Sequence, residues 1–400
     1  MRINPSVEAI VSPPLNIMNQ KIEEMRAEGI EVISLAQGVS SFTPPLSALK
    51  TVTQSFYNNK THLYSHDAGL LSTREALSKY LQFKNLNVDP EREILLTAGA
   101  SQAFFSALMT VGRRGAKVIL PSPYYFDHQF AVLATGMIPV EVPMKIKDNK
   151  WTFDIEMMKK ALDDGCEIVS LVSPNNPTGA VIAPSELEEL LEAVVKNDGV
   201  IISDETYDRF VYSPSEFVSP AALPDGQEHV IVIGSFSKSL ALAGWRIGYL
   251  TAPSYVIDEA LKLQDTLVIC APVVSQIALE AALNSDGEDL ILKSLKEFEK
   301  RKDVLCNILS LVKGLDWYEP EGSFFAFLKI NPTSLGGNKP FDDNNFVYDL
   351  LEKTGVAVMA GSACGIGGKG HIRISFGNVE IPQLTLAAQR IASYMDEIVR

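Results

Sequence analysis

From about residue 90 the chain alternates short apolar runs with amphipathic stretches. KVILP (117–121), EIVSLV (167–172), VIISD (200–204) and HVIVIGS (229–235) are almost unbroken apolar runs, the pattern of strands buried on both faces. Helical patterns lie between them. Asp154 is placed to cap DIEMMKKALDD, and Ser185 with Glu188 predicts a capping box ahead of LEELLEAVVKN, which stops at Gly199. This alternation predicts an α/β fold with a parallel sheet covered on both faces. After about residue 285 the texture changes. DLILKSLKEFEKRKDVLCNILSLV predicts a long charged amphipathic helix, followed by strand-like FFAFLKI, a polar Gly/Asn/Pro stretch and another helix. That pattern predicts a smaller α+β domain on which the N-terminal segment packs. The expected division is 45–285 for a large domain, and 1–44 with 286–400 for a small one. The most apolar long stretch, LVICAPVVSQIALEAAL (267–283), contains Pro272, Ser275, Gln276 and Glu280. It is short for a bilayer span and is expected to be buried interior, so no membrane partner is expected.

A length of 400 residues suits about two domains, and 46% hydrophobic with 21% charged residues excludes global disorder. Lys plus Arg is 35 and Asp plus Glu is 49, a formal net charge of −14. An acidic surface repels phosphate backbones and argues against nucleic acid as the main partner. It leaves room for a small anion in a locally basic pocket. The four cysteines form no C-x-x-C pair, which suggests neither a zinc ribbon nor a disulfide framework. A reduced, cytoplasmic location fits best. MRINPSVEAIVSPPLN has no uninterrupted apolar core, so a secretory signal is not expected. His62 and His66 are four apart within a loop-like stretch, and no metal site is expected.

Candidate chemistry gathers at strand ends. GSFSKS (234–239) closes an apolar run, and Gly244-Trp245-Arg246 follows. Ser235, Ser237 and Arg246 could bind a phosphate through hydroxyl donors and a guanidinium fork. Lys238 beside them could pair with that phosphate, or its amine could form a Schiff base with an aldehyde cofactor. TAGASQ (97–102) opens a helical pattern, so the backbone N–H groups around Gly99, Ala100 and Ser101 could face an anion. The ordinary alternative is a plain helix cap by Ser101. SDETY (203–207) ends another run. Asp204 there could hold a metal, act as a base, pair with a protonated ring nitrogen, or simply cap the next helix. SPNNPTG (173–179) reads as a turn whose asparagines could also reach a cofactor oxygen. Gly365, Gly367 and Gly370 match G-x-G-x-x-G, but no strand–helix–strand unit surrounds them. They read as a flexible turn before HIRISF.

Together these segments resemble the class I pyridoxal-phosphate-dependent aminotransferases of fold type I, from Ser34 to Phe376. Asn176, Asp204, Tyr207, Lys238 and Arg246 stand in the family's order, with three residues from Asp204 to Tyr207 and eight from Lys238 to Arg246. The resemblance implies a mostly parallel seven-stranded-type sheet in the large domain and pyridoxal 5′-phosphate as cofactor. It implies that Lys238 bonds the cofactor aldehyde and shuttles the α-proton, and that Asp204 pairs with the ring nitrogen. Tyr207 and Asn176 would bond the ring oxygen, and Tyr125 in SPYYF would stack on the ring. Ser235, Ser237, Arg246 and the amides of Gly99, Ala100 and Ser101 would bind the phosphate. Arg373 in HIRISF would fork the substrate α-carboxylate, with Gly38 in LAQGV close to it. Tyr64 would reach the neighbouring subunit's phosphate, which implies a homodimer with a shared active site.

Some positions depart from the family pattern. Ala360 stands where a proline is usual, and AQGVSSFTPP lacks the common Gly-x-Pro-Asp. Ser101 stands where relatives acting on acidic substrates often carry lysine. The expected reaction therefore moves an amino group between an L-amino acid, aromatic or methionine-like favoured but aspartate still admitted, and a 2-oxo acid by a ping-pong route. A cysteine-conjugate β-lyase on the same fold is the alternative. Weaker rivals are a nicotinamide-dependent oxidoreductase built on the 365–370 glycines, and a cofactor-bound regulator, for whose DNA-binding domain no residues are left over.

Overall fold

A computed structural model describes residues 1–331 and 341–399. Its main sheet has seven strands in the order Ile94–Thr97, Gly248–Thr251, Val230–Ser235, Val200–Asp204, Ile168–Val172, Lys117–Ser122 and Ile138–Pro143. Gly248–Thr251 runs antiparallel to both neighbours, and the remaining pairs are parallel. The four apolar runs read from the sequence end within one residue of these strands. The two-residue period of a strand sends alternate side chains to opposite faces. Val230 and Val232 join one core cluster, whereas Ile231 and Ile233 join another on the far side. Helices close both faces, so the strands can be apolar throughout.

A second, antiparallel sheet runs Leu315–Asp316, Phe325–Ile330, His371–Ser375, Met359–Ala360. The long charged helix spans Gly287–Leu309 and buries Phe298 and Leu305 in the core beneath this sheet. The N-terminal helix Pro14–Ala27 adds Met18, Ile22 and Met25 to the same core. Ile33–Ser34 then pairs in parallel with Val356–Ala357.

Three local expectations change. The helix Pro184–Lys196 is capped at Ala183, with Pro184 as its first residue. Glu186, not Glu188, accepts from the Ala183 N–H (3.3 Å), because the proline starts the helix before Ser185 can cap it. Asp154 does cap its helix, accepting from Met157 N–H at 3.2 Å. The 267–283 stretch is not all interior: Leu267 and Val268 are exposed, and a helix resumes only at Val273–Leu283 after Pro272. Within it Gln276 is buried but satisfied, accepting from Leu70 N–H (2.6 Å) and donating to Ala271 O (2.7 Å). The 365–370 segment does turn into the strand at Gly370, which has open space around it, but Gly365 and Gly367 are not free. A Cβ on Gly365 would sit 2.5 Å from Tyr124 Cε1, and one on Gly367 would sit 2.3 Å from Ser122 O. The polar Gly/Asn/Pro stretch after FFAFLKI lies outside the described residues, apart from its edges. Among the described residues no helix is long and apolar enough to cross a membrane.

Candidate active site

A cavity of about 430 Å³ opens at the carboxyl ends of the central strands, where open α/β sheets place their ligands. Asp204 is the last residue of its strand and is 6% exposed. Its Oδ1 accepts from the Thr206 N–H (3.0 Å) and hydroxyl (2.6 Å). Its Oδ2 lies 3.2 Å from His128 Nε2. Burial alone would push the carboxyl up. The hydrogen bond and charge of His128, with the two bonds from Thr206, outweigh burial and hold it below the usual carboxylate range. His128 is itself fixed, with Nδ1 3.0 Å from Ser170 Oγ and its ring stacked 3.7 Å from that of Phe104.

Lys238 sits in the short turn Phe236–Ser239 that follows the next strand. Ser235 caps this turn: its Oγ accepts from Ser237 N–H (3.1 Å) and donates to Ser237 Oγ (2.8 Å). The Lys238 amine donates to the Gly38 carbonyl at 2.5 Å. Burial, then the charges of Arg373 and Arg246, push its pKa down to about 8. A cation placed among cations loses its proton more readily.

The phosphate-like corner is built from backbone and guanidinium. Gly99 precedes the helix Ala100–Val111 with φ +87°, and no side chain caps the first turn. Gly99 is thus the cap position, and Ser101 lies within the helix. The first N–H groups are left for an anion. Arg246 lies across this helix end, and a Cβ on Gly99 would come within 2.5 Å of Arg246 Nη2. Only glycine meets both constraints.

Arg373 is 2% exposed. It donates to Asn176 Oδ1 (3.0 Å) and to the Ala36 carbonyl (2.6 Å), and its charge sits 4.7 Å over the Phe325 ring. Its Nε has no hydrogen-bond partner, and no carboxylate pairs with it among the described residues. A buried guanidinium in that state is costly and marks where a ligand anion belongs. Asn175 is used up in its turn, accepting from Thr178, which leaves Asn176 to face the cavity. The Tyr125 hydroxyl donates to the Asp127 carboxylate, and burial with that carboxylate pushes the phenol well above its ordinary range. Tyr207 lies edge-on to Phe324 and Phe325. Gly38 is packed so closely that a Cβ would lie 2.6 Å from Phe325 Cζ.

Of the residues singled out from the sequence, the cavity gathers Lys238, Asp204, Tyr207, Asn176, Tyr125, Ala100, Ser101, Ser235, Ser237, Arg246, Arg373 and Gly38 along its wall, with Gly99 just behind. Tyr64 is not among them and is 76% exposed. Sequence reasoning missed His128, Asp127, Thr206 and Phe325. The histidine offered a signal, since it lies three residues beyond Tyr125 in PYYFDH.

The family model "Aminotransferase class I and II" matches residues 30–391. The chain belongs to the class I and II aminotransferases. It is 34% identical over 97% of its length, and 96% of the relative's, to a probable aspartate/prephenate aminotransferase of Aquifex aeolicus. An aromatic-amino-acid aminotransferase of Thermococcus litoralis is 32% identical over 88% of each chain. The solved aspartate aminotransferase of Rhizobium meliloti superposes with a TM-score of 0.91 at 27% identity, covering 100% of both chains. This aminotransferase therefore has the fold type I architecture, and the oxidoreductase rival falls away. Its 365–370 segment leads into an antiparallel strand, with Gly365 packed against Tyr124 and Ser122 and Gly367 against Ser122.

Proposed function

We propose that this aminotransferase is a cytoplasmic homodimer that binds pyridoxal 5′-phosphate. It moves an amino group between an L-amino acid and a 2-oxo acid, with aromatic or methionine-like side chains favoured over aspartate. One observation carries the reading. A single cavity is lined by an amine of lowered proton affinity, a carboxylate held anionic, and a buried arginine with no carboxylate partner among the described residues.

The residues fit the cofactor. Ser235, Ser237, Arg246 and the N–H groups at Gly99, Ala100 and Ser101 would hold the phosphate. Asp204 would face the ring nitrogen, Asn176 and Tyr207 the ring oxygen, and Tyr125 one ring face. Lys238 would hold the aldehyde carbon. When bound, the cofactor supplies an electron sink for the pair left behind when the substrate α-proton departs.

The chain's own residues do the rest. Arg373 grips the α-carboxylate as a fork and, with the Asn176 bond fixing its plane, turns the α-carbon toward Lys238. The Lys238 amine, half neutral near pH 8 and mostly neutral above it, takes the α-proton and later returns it. Asp204 stays ionised because His128 and Thr206 hold it so. Phe325 and Tyr125 keep water from the space between. Donor product leaves before the acceptor binds, the ping-pong order. The exposed Tyr64 serves the partner subunit's phosphate site. The two sheets support a division into 45–285 and 1–44 plus 286–400.

The test is product analysis of the purified holoenzyme with phenylalanine, methionine or aspartate and an added 2-oxo acid. A new amino acid formed in step with donor loss, fastest for phenylalanine or methionine, supports the reading. Ammonia and pyruvate from a cysteine conjugate, without transfer, would assign elimination instead.

A further inference from the structure

Among the described residues the cavity wall carries two carboxylates, and the proposed chemistry uses only Asp204. The other is Asp127, in the first turn of the helix Phe126–Ala134. Its hydrogen-bond partner among the described residues is the Tyr125 hydroxyl, which leaves carboxylate acceptor capacity unused. Burial loosens the Arg373 guanidinium's hold on its proton, and nearby groups, Asp127 among them, act against that. Asp127 therefore shares a cavity wall with the group that would anchor a substrate.

Among the described residues, the lysine and arginine side chains of the wall are Lys238, Arg246 and Arg373. All three are already committed, Lys238 to amine chemistry, Arg246 to the phosphate and Arg373 to the α-carboxylate. Ser101, at the mouth of the phosphate corner, is neutral. Among the described residues of this wall a ligand with a second carboxylate finds no spare cation, and it brings that charge into the space that Asp127 lines. Like charges repel strongly where little water screens them.

We propose that Asp127 is a specificity-determining residue whose charge turns the site against dicarboxylic amino and oxo acids and toward ligands with uncharged side chains. The inference rests on the proposal that the cavity takes an amino acid.

Asp127→Asn isolates the charge, because the amide oxygen still accepts from Tyr125. Calorimetric titration of the holoenzyme with succinate and with monomethyl succinate reads binding without turnover. The variant should bind succinate about tenfold tighter and monomethyl succinate within about twofold of wild type, the size of one screened repulsion. The ratio of kcat/KM for methionine over aspartate should fall by about the same factor. Equal succinate binding in both proteins overturns the proposal. So does an equal shift for both ligands, since Asp127 would then only hold Tyr125 in place. If the succinate shift appears but no amino acid passes its amino group to an oxo acid, the transamination reading falls and the charge assignment stands.

Discussion

His128 Nε2 lies 3.2 Å from Asp204 Oδ2, and the other ring nitrogen lies 3.0 Å from Ser170 Oγ. The imidazole thus links a neighbouring strand to the carboxylate that would face the cofactor ring. His128→Leu removes the bond that helps hold Asp204 ionised. Cofactor affinity should fall by roughly 10- to 100-fold, the worth of one charge-assisted hydrogen bond of about 1.5–3 kcal/mol. Titration of cofactor-free protein with pyridoxal phosphate, followed by absorbance, measures it. An unchanged Kd would remove His128 from the site.

Arg373 should act on substrate and not on cofactor. Arg373→Gln should raise KM for the amino donor by about 100-fold, since two charged hydrogen bonds to a carboxylate are lost. Arg373→Lys keeps the charge but not the fork and should recover part of the loss. Cofactor affinity, measured separately, should stay near wild type. A fall in that affinity as large as the rise in KM would contradict the assignment.

The Lys238 amine sets a pH dependence with a definite sign. Its pKa is lowered from 10.5 to about 8 by burial and by Arg373 and Arg246. Uptake of pyridoxal phosphate by the cofactor-free protein needs the neutral amine, so its rate should climb with pH and level off above about 8. Between about 8 and 10.5 the unfolded chain binds the proton that the folded chain has released. Stability of the cofactor-free protein should therefore rise with pH across that window. Lys238→Met should flatten that local rise and abolish transamination, a loss of at least about 10³-fold from its proton transfer. A rise of equal size in Lys238→Met would mean that another group titrates there.

Behind Asp204 lies a second charged cluster. Lys84 is 5% exposed, and its amine lies 2.6 Å from Glu205 Oε2, 2.8 Å from Asp208 Oδ2 and 3.2 Å from the Tyr249 hydroxyl. Burial would push the amine down, but Asp208 and Glu205 outweigh it and hold it protonated. Lys84→Met strands two carboxylates in the interior. The variant should lose about 3–5 kcal/mol of stability, read by chemical unfolding. Lys84→Met combined with Glu205→Gln should recover part of it. A loss below about 1 kcal/mol would show that water reaches the cluster.

The central sheet is legible in the sequence because strands covered on both faces admit few polar positions, as Val230 to Ile233 illustrate. Asp204 and Lys238 are legible because the ends of those strands are where open sheets expose chemistry. His128 is not legible in the same way. One histidine on a helix shows its role only when the fold brings Asp204 across to it. Asp127 is hidden for the same reason, its meaning set by the cavity and not by its neighbours in sequence. Gly365 misleads because glycine serves close packing as readily as freedom, and here Tyr124 occupies the space a side chain would need. Ser185 misleads because Pro184 begins the helix one residue earlier.

The pairing of Ile33–Ser34 with Val356–Ala357 joins an early segment of the chain to a late one. During synthesis all seven strands of the main sheet have been made once Thr251 is outside the ribosome. The early segment must then wait, its strand edge and apolar helix face uncovered, for a partner translated some three hundred residues later. The arginine that would grip the substrate stands beyond that partner, in the same late region. The residues proposed to hold the phosphate are thus all made before the one proposed to grip the amino acid, and a chain cut short before His371–Ser375 lacks that arginine altogether.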